Sequence, residues 1–319
     1  MIDSDACNLP LTPASSSFRN LMSFSRLTTS TWSSVTGGSL CSCLATKAGT
    51  SSGSVCFSRE MMSCTLLSVP SLRRDGMFAL WPKIYLGGGS LIHPNAVLTA
   101  AHLVSGERDL KVRAGEWDTV TMREIYPHQE RDVASVVVHK DFIKQTLYYN
   151  IALLFFTTPM ELAPNVGLAC LPPPESDTPD DTRCFATGWG KTRFGEEGRN
   201  AIILKKVILC SNISMRTCRS QLRNTRLGSA FELHTSFMCA GGEPGRDTCR
   251  GDGGSPLVCP IEGEKNRYYQ SGIVAWGIGC GGDGVPGVYV DVVKLRPWID
   301  DKMAGRGLDL NAYDHNARI

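Results

Sequence analysis

From residue 84 onward, apolar and polar positions alternate or cluster in short runs, punctuated by Gly, Pro, Asn and Asp. The runs cover residues 110–117, 133–139, 150–156, 183–189, 203–209, 256–260 and 268–276. A period of two puts successive side chains on opposite faces of a strand. Many short strands at this spacing predict an all-β sandwich or barrel. Near the end, Leu295, Trp298, Ile299 and Met303 recur at helical spacing. They predict one C-terminal amphipathic helix, despite Pro297 near its start. Residues 304–319 read as a loose polar tail.

The first 80 residues break this pattern. About one-third of residues 1–75 are Ser or Thr, acids are few, and neither the strand nor the helix period is sustained. Cys7, Cys41, Cys43, Cys56 and Cys64 fall here at spacings that match no disulfide module. The segment reads as an irregular or disordered leader with no recognisable domain, or as the product of a misassigned 5′ exon. The organisation is therefore a leader over 1–80, one domain over 81–303 and a tail over 304–319.

Composition adds the setting. With 42 % hydrophobic and 20 % charged residues, the 319-residue chain is of ordinary globular type. A net charge of +2 provides no field favouring nucleic acid or an anionic membrane. No apolar run approaches the ~20 residues that span a bilayer. Thirteen cysteines without paired C-x-x-C knuckles point to disulfides in an extracellular, secreted protein and away from zinc. Met1 to Pro10 lacks the basic and apolar parts of a signal peptide, so either another export route or a different true start is expected. Asn212-Ile213-Ser214 is an N-glycosylation triplet, a pattern short enough to arise by chance.

Three motifs carry the chemistry. They are Leu98-Thr99-Ala100-Ala101-His102, Asn150-Ile151-Ala152-Leu153-Leu154 and Gly251-Asp252-Gly253-Gly254-Ser255-Pro256. Together they resemble the histidine, acid and nucleophile motifs of the chymotrypsin-like (trypsin-like) serine proteases. The resemblance implies a double six-stranded β-barrel with a C-terminal α-helix. It also places His102 at the general-base position, Asn150 at the acid position and Gly253 at the nucleophile position. Glycine has no side chain with which to attack a carbonyl. In a well-characterised serine-protease triad, Asp→Asn at the acid position alone lowers turnover by about 10⁴, because the imidazole is held in the wrong tautomer. Two of the three catalytic positions are thus altered. Ser255 is the alternative nucleophile, but it stands two residues downstream, and misplacement by ~1 Å costs ~100-fold.

Other parts of the resemblance are complete. It implies an oxyanion hole from the N–H groups of Gly251 and Gly253, which needs no side chain. Asp247, Gly277 and Gly287 correspond to a specificity pocket for Arg or Lys. Implied disulfides are Cys184–Cys259, Cys218–Cys239 and Cys249–Cys280. In the family Cys170 bridges to an upstream segment, with its partner here unassigned, and Cys210 has no expected partner. A fourth family bridge is lost at both ends, where Gly87 and Leu103 replace cysteines; burial of Leu103 is expected to offset part of that loss. No I-V-G-G-like activation sequence occurs between Leu72 and Gly87, so the first barrel strand is expected to be incomplete. Also missing is the amine that would pair with Asp252. No cofactor is implied, and Glu116 with Asp118 hints at a calcium loop without a full set of metal ligands.

Ser90–Pro94, Arg113–Asp118, Glu124–Gln129 and Cys184–Lys191 narrow the likeness. With Gly251–Pro260 they resemble the insect clip-domain serine protease homologues, of the phenoloxidase-activating factor 2 or masquerade-like kind, over about residues 83–303. That branch carries Gly in G-D-G-G-S-P but usually keeps the acid that Asn150 replaces. It implies a catalytically inactive extracellular cofactor whose partners are active clip-domain proteases, prophenoloxidase or both, in melanisation and innate immunity. The alternative is a weakly active trypsin-like endopeptidase cleaving after Arg or Lys.

Overall fold

The computed structural model describes the backbone of residues 71–74 and residues 84–121, 124–176, 182–264 and 267–315, the side chains of 211 and 212 excepted. The five leader cysteines and most of the segment examined for an activation sequence lie outside the described residues.

The first half forms one sheet of seven strands: β1 (Ser71–Arg74), β2 (Ile84–Gly88), β3 (Ser90–His93), β4 (Ala96–Thr99), β5 (Leu110–Ala114), β6 (Gln129–Val138) and β7 (Ala152–Phe156). Their order is β2-β1-β5-β6-β7-β4-β3. The two end strands are neighbours in the chain, separated only by Gly89, so the sheet curls back on itself. Counting β2 and β3 as one interrupted strand recovers the expected six. The alternation read from the sequence is visible in β5, where Leu110, Val112 and Ala114 point inward and Lys111 and Arg113 do not. β6 shifts register between Val133 and Ser135, pairing β5 before that point and β7 after it. A bulge of this kind bends a strand round a barrel corner.

The second half is a closed six-stranded barrel in the order β10-β13-β12-β11-β8-β9. Its strands are β8 (Arg183–Gly188), β9 (Lys205–Ile213), β10 (Phe237–Gly241), β11 (Pro256–Pro260), β12 (Tyr268–Trp276) and β13 (Pro286–Asp291). Among the described residues the α-helices are few: α1 (Ala101–Val104) after β4 in the first half, and α2 (Met215–Arg223) after β9 and the C-terminal α3 (Val292–Ala304) in the second. Each barrel has its own core. Leu91, Val97, Val112 and Leu154 fill the first, and Leu209, Leu257, Val274 and Tyr289 the second. A third cluster joins Ile92, Leu98, Ile151 and Leu153 to Phe237, Val288 and Val290, and to Leu295, Ile299 and Met303 of α3. The all-β double barrel with a C-terminal helix is the fold expected from the sequence.

Three expectations need correction. The first barrel, whose first strand was expected to be incomplete, does have β1, which pairs with both β2 and β5 ahead of the boundary placed at 81. The segment after 304 is docked rather than loose. A 3₁₀ turn, Leu310–Tyr313, buries Tyr313 completely and sends its hydroxyl to Asp300 Oδ1 at 2.8 Å. The buried guanidinium of Arg296, in α3, supports it by donating to the carbonyls of Leu171 and Pro172 and to Asp300. One aromatic residue in a polar stretch gave too little periodicity to reveal this. Finally, Cys210, for which no partner was expected, is disulfide-bonded, as are Cys170 and the other six cysteines from 170 onward.

Candidate active site

His102 follows β4 in the short helix α1, and Asn150 stands just before β7; because β4 and β7 pair, the two residues meet. Asn150 is fully buried. Its Oδ1 accepts the backbone N–H of His102 at 2.8 Å. That obligatory donor orients the amide, so Nδ2 faces His102 Nδ1, also at 2.8 Å. An aspartate here would accept from Nδ1–H. Oδ1 also lies 3.2 Å from Nδ1, but it already accepts the backbone N–H and Nδ2 is the nearer atom, so donation from the amide to Nδ1 is favoured, and in that tautomer the imidazole proton sits on Nε2. Burial lowers the His102 pKa, so the neutral ring is favoured. An imidazole protonated on Nε2 cannot take a proton there.

Gly253 faces that ring. A Cβ built on Gly253 would lie 3.1 Å from His102 Nε2 and 3.4 Å from Cε1. The nucleophile position is therefore in register with the histidine and lacks only its side chain. Ser255 does not replace it. It is fully buried, and a Cβ on Gly88 would collide with its Oγ at 2.1 Å. Its hydroxyl thus points at the backbone of β2, away from His102, and has no hydrogen-bond partner among the described residues.

The loop carrying Gly253 is pinned between the barrels. Gly88 N–H donates to the Gly253 carbonyl at 2.9 Å, Gly254 N–H to Val274 and Val274 N–H to Ser255. Gly254 has φ +79°, and a Cβ there would strike the Gly88 carbonyl at 2.4 Å, so only glycine fits. Asp252 points away from the cleft. Its carboxylate accepts the N–H groups of Gly190 at 2.7 Å and Cys249 at 2.8 Å, and burial raises its pKa against their pull. Gly87 and Leu103 meet where the lost disulfide would stand. A Cβ on Gly87 would lie 2.6 Å from Leu103 Cδ1 and 2.4 Å from the Gly253 carbonyl, so the leucine fills the vacated volume.

One cavity of about 310 Å³ joins His102, Gly251 and Gly253 to Asp247, Gly277 and Gly287. Trp276 and Phe194 also line it, although neither was singled out from sequence; the Trp276-Gly277 pair was the available signal. Asp247 Oδ1 and Oδ2 accept the N–H groups of Thr248 and Gly281 at 2.8 and 2.9 Å. Burial nonetheless pushes its pKa up to about 6. The Gly251 and Gly253 N–H groups make no hydrogen bond among the described residues. The three pairs Cys184–Cys259, Cys218–Cys239 and Cys249–Cys280 are formed, the last in the cavity wall. Asn212 lies in β9, its side chain outside the described residues.

The sequence showed no full metal set around Glu116 and Asp118. In the structure it is Glu124 and His128, not Asp118, that join Glu116, with ligand atoms within 4.8 Å of one another. Glu124 Oε1 is already held by the N–H groups of Trp117 and Asp118, and Arg113 lies 2.7 Å from Glu116 Oε2. Positive charge is thus supplied within the chain. His128 joined the group only through the fold of the loop, beyond the reach of sequence spacing.

Two curled antiparallel barrels meeting at a cleft that carries His102, the Gly253 loop and an acid-based pocket define a serine-protease-type domain. The chain belongs to the trypsin family, whose model, described as Trypsin, matches residues 75–299. It is 65 % identical over 233 residues to phenoloxidase-activating factor 2 of Galleria mellonella, covering 73 % of this chain and 77 % of that protein. It is 46 % identical over 223 residues to inactive CLIP domain-containing serine protease A3 of Aedes aegypti, covering 68 % of this chain and 46 % of that one. With inactive CLIP domain-containing serine protease A28 of Anopheles gambiae the identity is 40 % over 225 residues, covering 70 % and 58 %. The chain thus spans roughly half the length of the two inactive CLIP relatives. Among the described residues, no helix is long and apolar enough to cross a membrane.

Proposed function

We propose that this chain is a catalytically inactive serine protease homologue. It acts outside the cell as a binding cofactor or regulator of a proteolytic cascade, that of prophenoloxidase activation, with active clip-domain proteases, prophenoloxidase or both as its partners. The observation that carries the first part is Gly253: the site holds a histidine in register with a residue that has no nucleophile. Asn150 adds a second, independent obstacle by fixing the proton on His102 Nε2. Eight disulfide-bonded cysteines in the domain support an oxidising compartment. The cascade role rests on the names of the relatives, phenoloxidase-activating factor and inactive CLIP serine protease.

The cleft then binds rather than cuts. Asp247 at the base of the pocket receives an Arg or Lys side chain, and the glycines at 277 and 287 leave it room. The competing reading is a weak trypsin-like endopeptidase working through Ser255 or through the oxyanion hole alone, and the burial of Ser255 counts against the first route. Labelling the native protein with a fluorophosphonate distinguishes the two. The proposal expects no adduct at any serine of residues 84–315. An adduct on Ser255 would establish the enzyme.

A further inference from the structure

Catalytic loss has changed what the cleft offers as well as what it lacks. In a working triad the histidine presents a bare Nε2 to the serine hydroxyl. Here the Asn150 amide presents Nδ2 to Nδ1 at 2.8 Å and Oδ1 at 3.2 Å, an arrangement that favours the tautomer with the proton on Nε2, and Nε2 has no partner among the described residues. Two further N–H groups without partners among the described residues, those of Gly251 and Gly253, belong to residues lining the same cavity. The side chain that would occupy the space between them is missing. The point where a Gly253 Cβ would stand lies 3.1 Å from Nε2. An oxygen placed there is within hydrogen-bonding distance of a ring N–H. Asp247 lines the same cavity.

We propose that the cleft is a receptor for a chain that ends in Arg or Lys: the basic side chain enters the Asp247 pocket, and the free terminal carboxylate takes the place of the missing serine side chain. One carboxylate oxygen accepts from the Gly251 and Gly253 N–H groups, and the other accepts from His102 Nε2–H. The ligand is thus the new C-terminus released by cleavage after a basic residue. An uncut chain continues as an amide and has no second oxygen for Nε2–H. The substitutions at 150 and 253 work together in this role, one supplying the donor and the other the space. The class of reaction that supplies the ligand is trypsin-type hydrolysis by another protein. This inference rests on the binding reading above and specifies its ligand.

Calorimetry on the full chain tests it with three probes: benzamidine, acetyl-Gly-Arg with a free carboxylate, and acetyl-Gly-Arg amide. Hydrogen bonds to a charged group are worth more than neutral ones, so the acid is expected to bind at least about tenfold tighter than the amide. In Gly253→Ser the new hydroxymethyl fills the oxygen site, and the ratio falls to about one. Thermal unfolding confirms that the variant is folded, and the wild-type comparison stands without it. If benzamidine binds but acid and amide bind equally, this inference fails and the pocket reading survives. If none of the three binds, both fail.

Discussion

Asn150 accepts the main-chain N–H of His102 through Oδ1 and donates to the same residue's ring through Nδ2, both at 2.8 Å. The backbone contact removes the freedom of the amide to turn over, and so the side chain at 150 sets which imidazole nitrogen holds the proton. Nitrogen-15 NMR of the imidazole at pH 8 is expected to show the Nε2–H form in the wild type and the Nδ1–H form in Asn150→Asp. Finding Nδ1–H in both would remove this obstacle to catalysis.

The same relationship orders the outcome of rebuilding the triad. Gly253→Ser restores a hydroxyl opposite His102, yet with Asn150 in place the ring does not accept its proton. Hydrolysis of an arginine ester by Gly253→Ser is expected to be about 10⁴-fold slower than by Gly253→Ser/Asn150→Asp. Initial rates on the two variants give the ratio directly, and equal rates would contradict the tautomer account.

Asp247 ties binding to pH. Burial raises its pKa to about 6, so the pocket is ionised above that value and neutral below it. Affinity for benzamidine is expected to be flat above about pH 7 and to fall about tenfold per pH unit well below 6. Calorimetry between pH 5 and 8 measures it. In the empty protein the sign is opposite. A carboxylate whose folded pKa is raised favours the folded state below the unfolded value of 3.8, and that contribution is lost as pH rises through 6. A bound cation therefore stabilises the fold most at neutral pH.

Gly87 and Leu103 form a packed pair in place of a disulfide. Gly87→Ala is expected to destabilise by about 1–3 kcal/mol through overpacking. Leu103→Ala costs about 2 kcal/mol through loss of packing. The double variant should lose less than the sum, because removing Leu103 relieves one of the two clashes and leaves the Gly253 carbonyl. Urea midpoints for the four proteins give the coupling.

Tyr313 holds the segment after α3 to the domain. Its complete burial and its bond to Asp300 predict a loss of about 3–5 kcal/mol for Tyr313→Ala. Tyr313→Phe, which keeps the ring, should cost only about 1 kcal/mol. Equal stability of all three in urea would return residues 304–315 to the status of a tail.

What the sequence revealed follows from how local each signal is. Strands such as Leu110–Ala114 and the helix through Leu295 and Ile299 announce themselves by period, because one face meets a core. His102, Asn150, Gly253 and Asp247 were legible because their neighbours on the chain carry family motifs. Tyr313, Arg296 and His128 were not, since each acts through partners distant in sequence. The Asn150 proton assignment was readable only in outline; its orientation depends on a backbone N–H that spacing cannot reveal.

The central claim is that this site binds without cutting. Its most direct test is steady-state hydrolysis of arginine and lysine esters by the purified protein beside His102→Ala. The account predicts no hydrolysis by the wild type that the alanine variant lacks. Turnover by the wild type that disappears in His102→Ala would contradict it.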